Sequence, residues 1–214
     1  MDETLYDIAF VTVNYNTHAL IEDMLLFFAQ ASLPFSHILV VVDNDSSDGS
    51  QEFLSQQKNT VYIQNGENLG YGKAINRGIQ AVNSRYVCAL NTDVLLSVES
   101  LSALWDFMEL NPAAGVATPR ITNRDGSTQG FVFHKSSLSI FFNLLNRIRT
   151  TLLKRKVAEA VDPLKVQGVL GAFFLIRRVL IPDGKLFDEA FFFYFEDTDL
   201  AHRCLLYTSP SPRD

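Results

Sequence analysis

Tyr86-Val-Cys-Ala-Leu-Asn-Thr-Asp93 is five apolar residues followed at once by a polar turn. The apolar part has the length of a buried strand, and Asn91, Thr92 and Asp93 stop it abruptly. Alone the tripeptide is only a turn that caps the next helix. Its meaning comes from three similar stretches upstream. Ile8-Ala-Phe-Val-Thr-Val13 is a continuous, β-branched run that ends in Asn14-Tyr-Asn16-Thr17. His37-Ile-Leu-Val-Val-Val42 runs into Asp43-Asn-Asp-Ser-Ser-Asp-Gly-Ser50, and Val61-Tyr-Ile-Gln64 into Asn65-Gly-Glu-Asn-Leu-Gly-Tyr-Gly-Lys73. Unbroken apolar runs are expected of parallel strands covered on both faces.

Helical stretches separate these runs. Leu20, Ile21, Met24, Leu25, Phe28 and Ala31 recur at helical spacing with Pro34 beyond them, and Ala74 to Val82 reads as a second helix. The cluster from Asp43 to Ser50 is a tight turn that leads into a capped helix. Strand and helix alternating four times predict an α/β fold, a Rossmann-like, mainly parallel sheet flanked by helices. Ligands of such sheets sit outside the carboxyl ends of the strands. The turns at Asn14, Asp43 and Asp93 all fall there. A carboxylate at such a tip, with an amide two residues before it, suits a hard divalent cation held against phosphate.

Downstream the alternation fades. Ser100 to Leu110 reads as an amphipathic helix stopped by Asn111-Pro112, Gly115 to Pro119 as a strand, and Asp125-Gly126 as a hairpin turn. Leu138 to Val157 is an amphipathic stretch with Arg147, Arg149, Lys154, Arg155 and Lys156 toward its end. It suits either an anionic membrane surface or a helix packed on the sheet with a solvated basic end. Val166 to Ile176 is apolar with two glycines. Leu186 to Phe195 is strongly aromatic and leads into Glu196-Asp-Thr-Asp-Leu-Ala-His-Arg203. Carboxylates beside aromatics are partly desolvated, which favours proton uptake and suits a general base.

The 214 residues suffice for one α/β domain with a full core. A composition of 47% hydrophobic and 20% charged residues excludes a disordered chain, and a net charge of −6 argues against general nucleic-acid binding. Cys88 and Cys204 form neither a disulfide framework nor a zinc spacing, which points to a reducing compartment. The acidic start runs straight into a strand, so no signal peptide is expected, and no apolar run has the length of a membrane span.

Taken in order, Val11-Thr-Val-Asn-Tyr-Asn16, Val42-Asp-Asn-Asp-Ser-Ser-Asp-Gly-Ser50, Asn68-Leu-Gly-Tyr-Gly-Lys-Ala-Ile-Asn76-Arg-Gly78, Leu90-Asn-Thr-Asp93, Gly168 to Arg177 and Phe187 through Leu200 resemble a family 2 glycosyltransferase of GT-A fold. The likeness is to the bacterial branch of rhamnosyltransferases and other cell-surface polysaccharide enzymes. It implies an inverting enzyme that takes a sugar from a UDP- or dTDP-sugar. Asp43 would accept a hydrogen bond from the imide N–H of uracil or thymine, a donor that cytosine lacks. Val13, Asn14, Asn16 and Asn44 would line the nucleoside, while Asn68, Gly70 and Lys73 would meet the ribose or diphosphate. Asp93 with Asn91 would hold Mg²⁺ or Mn²⁺, and Asn91, Thr92 and Asp93 would meet the donor. Asn91 departs from the family's two-acid pattern and removes one negative charge. Asp197 would be the general base, Glu196 its neighbour orienting base or acceptor, and Gly171 and Ala172 would belong to the acceptor side.

The resemblance further implies one domain over residues 1–203, with a nucleotide-sugar half at 1–96 and an incomplete acceptor half at 97–203. Its place would be the cytoplasm, with peripheral contact at the inner face of the membrane through 138–157 as one option. Acceptors would be glycans or lipid-linked sugars, as in cell-wall polysaccharide synthesis. Residues 204–214 match letter for letter the translation of a transposon-end sequencing adapter, so a non-native tail is expected there. Members of the family commonly supply a metal-binding histidine further on, and His134 and His202 are expected to be surface or packing residues. Two other classes are weighed against this reading. A sugar nucleotidyltransferase would carry a glycine-rich, cationic loop after its first strand, and Val13 to Thr17 has neither glycine nor cation. A sugar-nucleotide-binding domain without catalysis would differ only in turnover.

Overall fold

The computed structural model describes residues 4–129, 151–152, 155–157, 159–160, 162–166, 171–192 and 195–208. They fall into two compact units, one of residues 1–119 with 171–196, the other of 120–170 with 197–214.

The first unit is built on β1 (Leu5–Asn14), β2 (His37–Asp43), β3 (Thr60–Gln64) and β4 (Asn83–Leu90), with α1 (His18–Gln30), α2 (Ser50–Ser55) and α3 (Tyr71–Gln80) between them. α4 (Val98–Leu110) and β5 (Val116–Ala117) follow, and β6 (Phe173–Arg177) completes the sheet. The spatial order is β3-β2-β1-β4-β6-β5, with β1 to β4 mutually parallel. The order reverses between β1 and β4, and the strand tips on either side of such a point bound the usual ligand crevice. Ile8 to Val11, Leu39 to Val42 and Tyr86 to Leu90 are buried, as their unbroken apolar runs imply.

β6 runs antiparallel to both neighbours, Leu90 lying opposite Phe173 and Tyr86 opposite Arg177. Its direction follows from where the chain enters the sheet, at Gly171–Ala172 beside the carboxyl end of β4. Arg177, at its far end, donates from Nε to Ala114 O at 2.8 Å and from Nη2 to Met108 O at 2.6 Å and Asn111 O at 3.1 Å. A cation that satisfies the last carbonyls of α4 also complements that helix's dipole.

α3 begins at Tyr71, three residues before the apolar pattern starts, because Gly70 (φ 78°) turns the chain into it. The helix lies flush on β1 and β2 through Gly78, where a Cβ would collide with Val11 and stand 3.0 Å from Val42 Cγ2. Asn76, on the same helix and 1% exposed, clasps a distant segment. Its Oδ1 accepts from the N–H groups of Leu186 (2.9 Å) and Phe187 (3.0 Å), and its Nδ2 donates to Phe187 O at 2.8 Å. Asn76→Ala is expected to cost about 3 kcal/mol, because it removes three buried hydrogen bonds at once. A fall in the urea midpoint with an unchanged slope is the measurement that checks it.

In the second unit, the Thr122–Thr128 bridge closes the expected hairpin turn, with Gly126 at φ 81°. Val157 is buried against Ile121, Leu164 and Val166. Of the basic stretch 138–157 only 151–152 and 155–157 are described, so the surface it would offer a membrane lies outside the described residues. No helix among the described residues is long and apolar enough to cross a membrane. α5 (Glu196–Thr208) continues five residues past Arg203, where the sequence pattern stops. Helix propagation needs one bond per added residue, and Leu205 and Leu206 are good helix formers.

Candidate active site

The tips of β1 and β2 are tied by buried polar groups. Asn14 and Asp43 are each 0% exposed, and Asn14 Nδ2 donates to Asp43 Oδ2 at 2.6 Å and to Ser46 Oγ at 3.0 Å. Asn14 Oδ1 accepts from the Thr17 hydroxyl at 2.6 Å, so both ends of the amide are bonded within the protein. Asp43 Oδ1 accepts from the Ser46 N–H at 2.8 Å, and Ser46 Oγ from the Asn16 N–H at 2.9 Å. The Asp43 carboxylate offered to a base by the sequence therefore also organises its own loop. Its remaining contact is a 3.4 Å one from Gln51 Nε2 to Oδ1.

The network continues sideways. Asn44 Nδ2 reaches Asn68 Oδ1 at 3.1 Å and Gly70 O at 3.2 Å, and Asn44 Oδ1 accepts from Asn65 Nδ2 at 2.7 Å. Arg77 holds Asn65 in turn. Asn68 Oδ1 also accepts from the Gly70 N–H at 3.0 Å. Gly70 has no room for a side chain, since a Cβ would strike the carbonyl oxygen of Phe192. Val13, Asn16, Asn68 and Lys73 thus form the accessible edge of a scaffold whose buried members are Asn14, Asp43, Asn44 and Gly70. Non-glycine residues at positive φ, Asn16 (55°) and Asp45 (67°), sit in the same two loops. Such backbone is concentrated at functional sites.

Asp48 braces this corner from outside, donated to by the His18 N–H at 2.8 Å and by Ser50 through both N–H and hydroxyl. Burial pulls its carboxyl up, but the bonds from Ser50 and His18 outweigh it and hold its pKa below the usual carboxylate value. The stabilisation is present above the unfolded-state pKa and is lost as pH falls through the lower folded value. Stability is therefore expected to drop below about pH 4, and Asp48→Asn to flatten that slope in acid titrations followed by circular dichroism.

β4 delivers Asn91, Thr92 and Asp93. Asn91 N–H donates to Ala172 O at 2.9 Å, and the Tyr71 hydroxyl to Gly171 O at 3.0 Å, so Gly171 and Ala172 border both the β4 tip and α3. Asp93 is exposed. Among the described residues no three His, Cys, Asp or Glu side chains gather as a metal cage. Mg²⁺ commonly takes one or two carboxylates plus substrate phosphates, and one exposed acid beside an amide suits that kind of ion.

Glu196 is buried and heads α5, directly after Phe195, which is held at φ 71° and 68% exposed. Asp197, half-buried, accepts at Oδ1 from the Thr198 N–H at 2.6 Å and hydroxyl at 3.2 Å. Ser46, Gln51, Asn65 and Arg77 were not singled out from the sequence. Polar residues in polar turns or on a helix carry no periodic signal.

Residues 9–183 match the model of glycosyl transferase family 2. The chain belongs to glycosyl transferase family 2. Its sheet is that of the GT-A fold. The family 2 chain is 30% identical over 185 residues to an N-acetylglucosaminyl-diphospho-decaprenol L-rhamnosyltransferase of Mycobacterium tuberculosis, covering 77% of this chain and 60% of that protein. It is 27% identical to a poly-beta-1,6-N-acetyl-D-glucosamine synthase of Staphylococcus aureus, over 87% of this chain and 43% of that one. The chain thus spans roughly half the length of these relatives. Among solved structures, S. aureus TarS superposes with a TM-score of 0.67 at 18% identity, covering 94% of this chain and 33% of TarS. The mannosyltransferase PcManGT of Pyrobaculum calidifontis, solved with GDP-Man and Mn²⁺, gives 0.61 at 16% identity, covering 95% and 52%. Both likenesses concern the fold.

Proposed function

We propose that this chain is the donor-binding and catalytic part of an inverting glycosyltransferase. It moves a sugar, rhamnose being one option, from a UDP- or dTDP-sugar to a hydroxyl of a glycan or lipid-linked acceptor in cell-surface polysaccharide synthesis. The observation that carries this reading is the hydrogen-bonded network that joins buried Asn14, Asp43, Asn44 and Gly70 to exposed Asn68 at the tips of β1 and β2 and the head of α3. The relatives' names add a diphospho-decaprenol acceptor and a poly-N-acetylglucosamine product, and TarS has been solved with UDP-GlcNAc.

In this reading Asp43 accepts the imide N–H of the base, and Val13, Asn14, Asn16 and Asn44 shape the nucleoside cleft. Asn68, the Gly70 backbone and Lys73 meet the ribose and diphosphate, the lysine as a point charge. Asp93, with Asn91, would hold Mg²⁺ or Mn²⁺, which when bound supplies positive charge to the departing diphosphate, and Thr92 beside them meets the donor. Asp197 takes the acceptor hydroxyl's proton, and Glu196 orients acceptor or base. The acceptor oxygen bonds to the anomeric carbon as the bond to the diphosphate oxygen breaks. Attack from the opposite face inverts configuration. Gly171 and Ala172 line the acceptor side, and peripheral membrane contact through 138–157 is one option beside a helix packed on the sheet.

The direct experiment offers UDP-, dTDP- and GDP-sugars with Mg²⁺ and measures the nucleoside diphosphate released. Release from UDP- or dTDP-sugars alone supports the reading. Release from GDP-sugars alone contradicts the pyrimidine assignment. Binding with no release favours a sugar-nucleotide-binding domain without turnover.

A further inference from the structure

Resting on the reading that a pyrimidine dione meets Asp43, we infer that Gln51 reads the same base. Its carboxamide N–H and the Asp43 carboxylate form a donor–acceptor pair that fits the edge of uracil or thymine. Two short bonds fix Asp43 from within the protein, to Asn14 Nδ2 at 2.6 Å and to the Ser46 N–H at 2.8 Å. The third is different. Gln51 Nε2 lies 3.4 Å from Asp43 Oδ1 and 3.4 Å from Asp45 Oδ1, both at the outer limit of a hydrogen bond. Bonds of that length cost little to release.

The carboxamide cannot turn its oxygen toward these two carboxylates, because like charge density would meet. Gln64 enforces the same orientation by donating from Nε2 to Gln51 Oε1 at 2.8 Å. Gln51 is half-buried, between fully buried Asp43 and exposed Asp45, and so stands on the outward side of the carboxylate. A base that reaches Asp43 arrives where Gln51 Nε2 now rests.

The edge of a pyrimidine dione reads carbonyl, N–H, carbonyl. A carboxylate that accepts the central N–H is flanked by two carbonyl oxygens that repel it. A neighbouring N–H donor relieves that repulsion by bonding one of them. Gln51 supplies the donor by turning Nε2 from the carboxylates to the ring carbonyl. Cytosine presents a lone pair at the central position, against Asp43, and an amino group in place of the carbonyl at C4, so a donor turned toward that position meets no acceptor.

The test is the affinity of UDP and CDP, each with Mg²⁺, for the parent chain and for Gln51→Ala, Gln51→Glu and Gln64→Ala, after circular dichroism has shown each to be folded. One lost neutral hydrogen bond should weaken UDP about 3- to 10-fold in Gln51→Ala and leave CDP unchanged, so the UDP/CDP preference falls by that factor. Gln51→Glu, which puts an acceptor beside two carboxylates, should weaken UDP further. Gln64→Ala should give a smaller loss in the same direction. A preference unchanged in Gln51→Ala, or tighter UDP binding, would overturn the inference and leave Gln51 as a plug. A parent chain with no preference for UDP over CDP would overturn the donor reading itself, and this inference with it.

Discussion

Asp197→Asn is expected to lower turnover by about 10²- to 10⁴-fold, the range a positioned general base contributes. Nucleotide affinity should stay within about twofold, far below the 1.4 kcal/mol that makes a tenfold change. The substitution keeps shape and changes one property. An amide oxygen still accepts the Thr198 N–H and hydroxyl that now bond Asp197 Oδ1, so the first turn of α5 keeps its bonds. The amide cannot take a proton from an acceptor hydroxyl. Steady-state kinetics alongside calorimetric nucleotide binding separates the cases. An equal loss in both would place Asp197 in donor binding and leave the proton without its acceptor.

Asp93→Ala carries the second large effect. Asp93 is the only carboxylate of the Asn91-Thr92-Asp93 turn, and Asn91 contributes no charge. Without it the turn has only neutral oxygens, which bind a hard divalent cation weakly. Mg²⁺ should then no longer tighten UDP binding, and turnover should fall about 10²- to 10³-fold, the cost of losing one preorganised electrostatic contact at a leaving oxygen. Asp93 is exposed, so thermal stability should hold. Asn91→Asp restores the two-acid pattern and should tighten Mg²⁺. Metal dependence that survives in Asp93→Ala would show that other ligands hold the ion.

The parallel half of the sheet was legible because its strands are covered on both faces. Runs such as Ile8 to Val13 and His37 to Val42 have strand length and β-branched content, and polar turns mark their ends. β6 was legible only as part of an apolar stretch, neither as a strand nor in direction. Apolar patterning is the same whichever way Phe173 to Ile176 runs, and only its entry beside Ala172 fixes it antiparallel. α3 began earlier than its pattern because Gly70, a backbone feature, starts it.

The site divides in the same way. Asn14, Asp43 and Asp93 stood out because a strand that ends in an amide or acid is a local signal. The groups that hold them did not. Asn76 sits on an amphipathic helix, where a polar residue suggests a solvated face, yet its partners Leu186 and Phe187 lie 110 and 111 positions away. Gln51 meets Asp43 from the next helix, and Gln64 reaches Gln51 from the edge strand β3. Such contacts exist only once the sheet has formed.

The measurement that bears most directly on the donor site is nucleotide binding by ligand-observed NMR, with UDP, dTDP, GDP and CDP, each with and without Mg²⁺. It is run on the parent chain, Asp43→Ala and Asp93→Ala after circular dichroism. Preferred binding of UDP or dTDP, tightened by Mg²⁺, is expected in the parent. Asp43→Ala should lose the preference and Asp93→Ala the tightening. A folded parent chain that binds all four nucleotides alike, or none, would contradict a pyrimidine-nucleotide site at the tips of β1, β2 and β4.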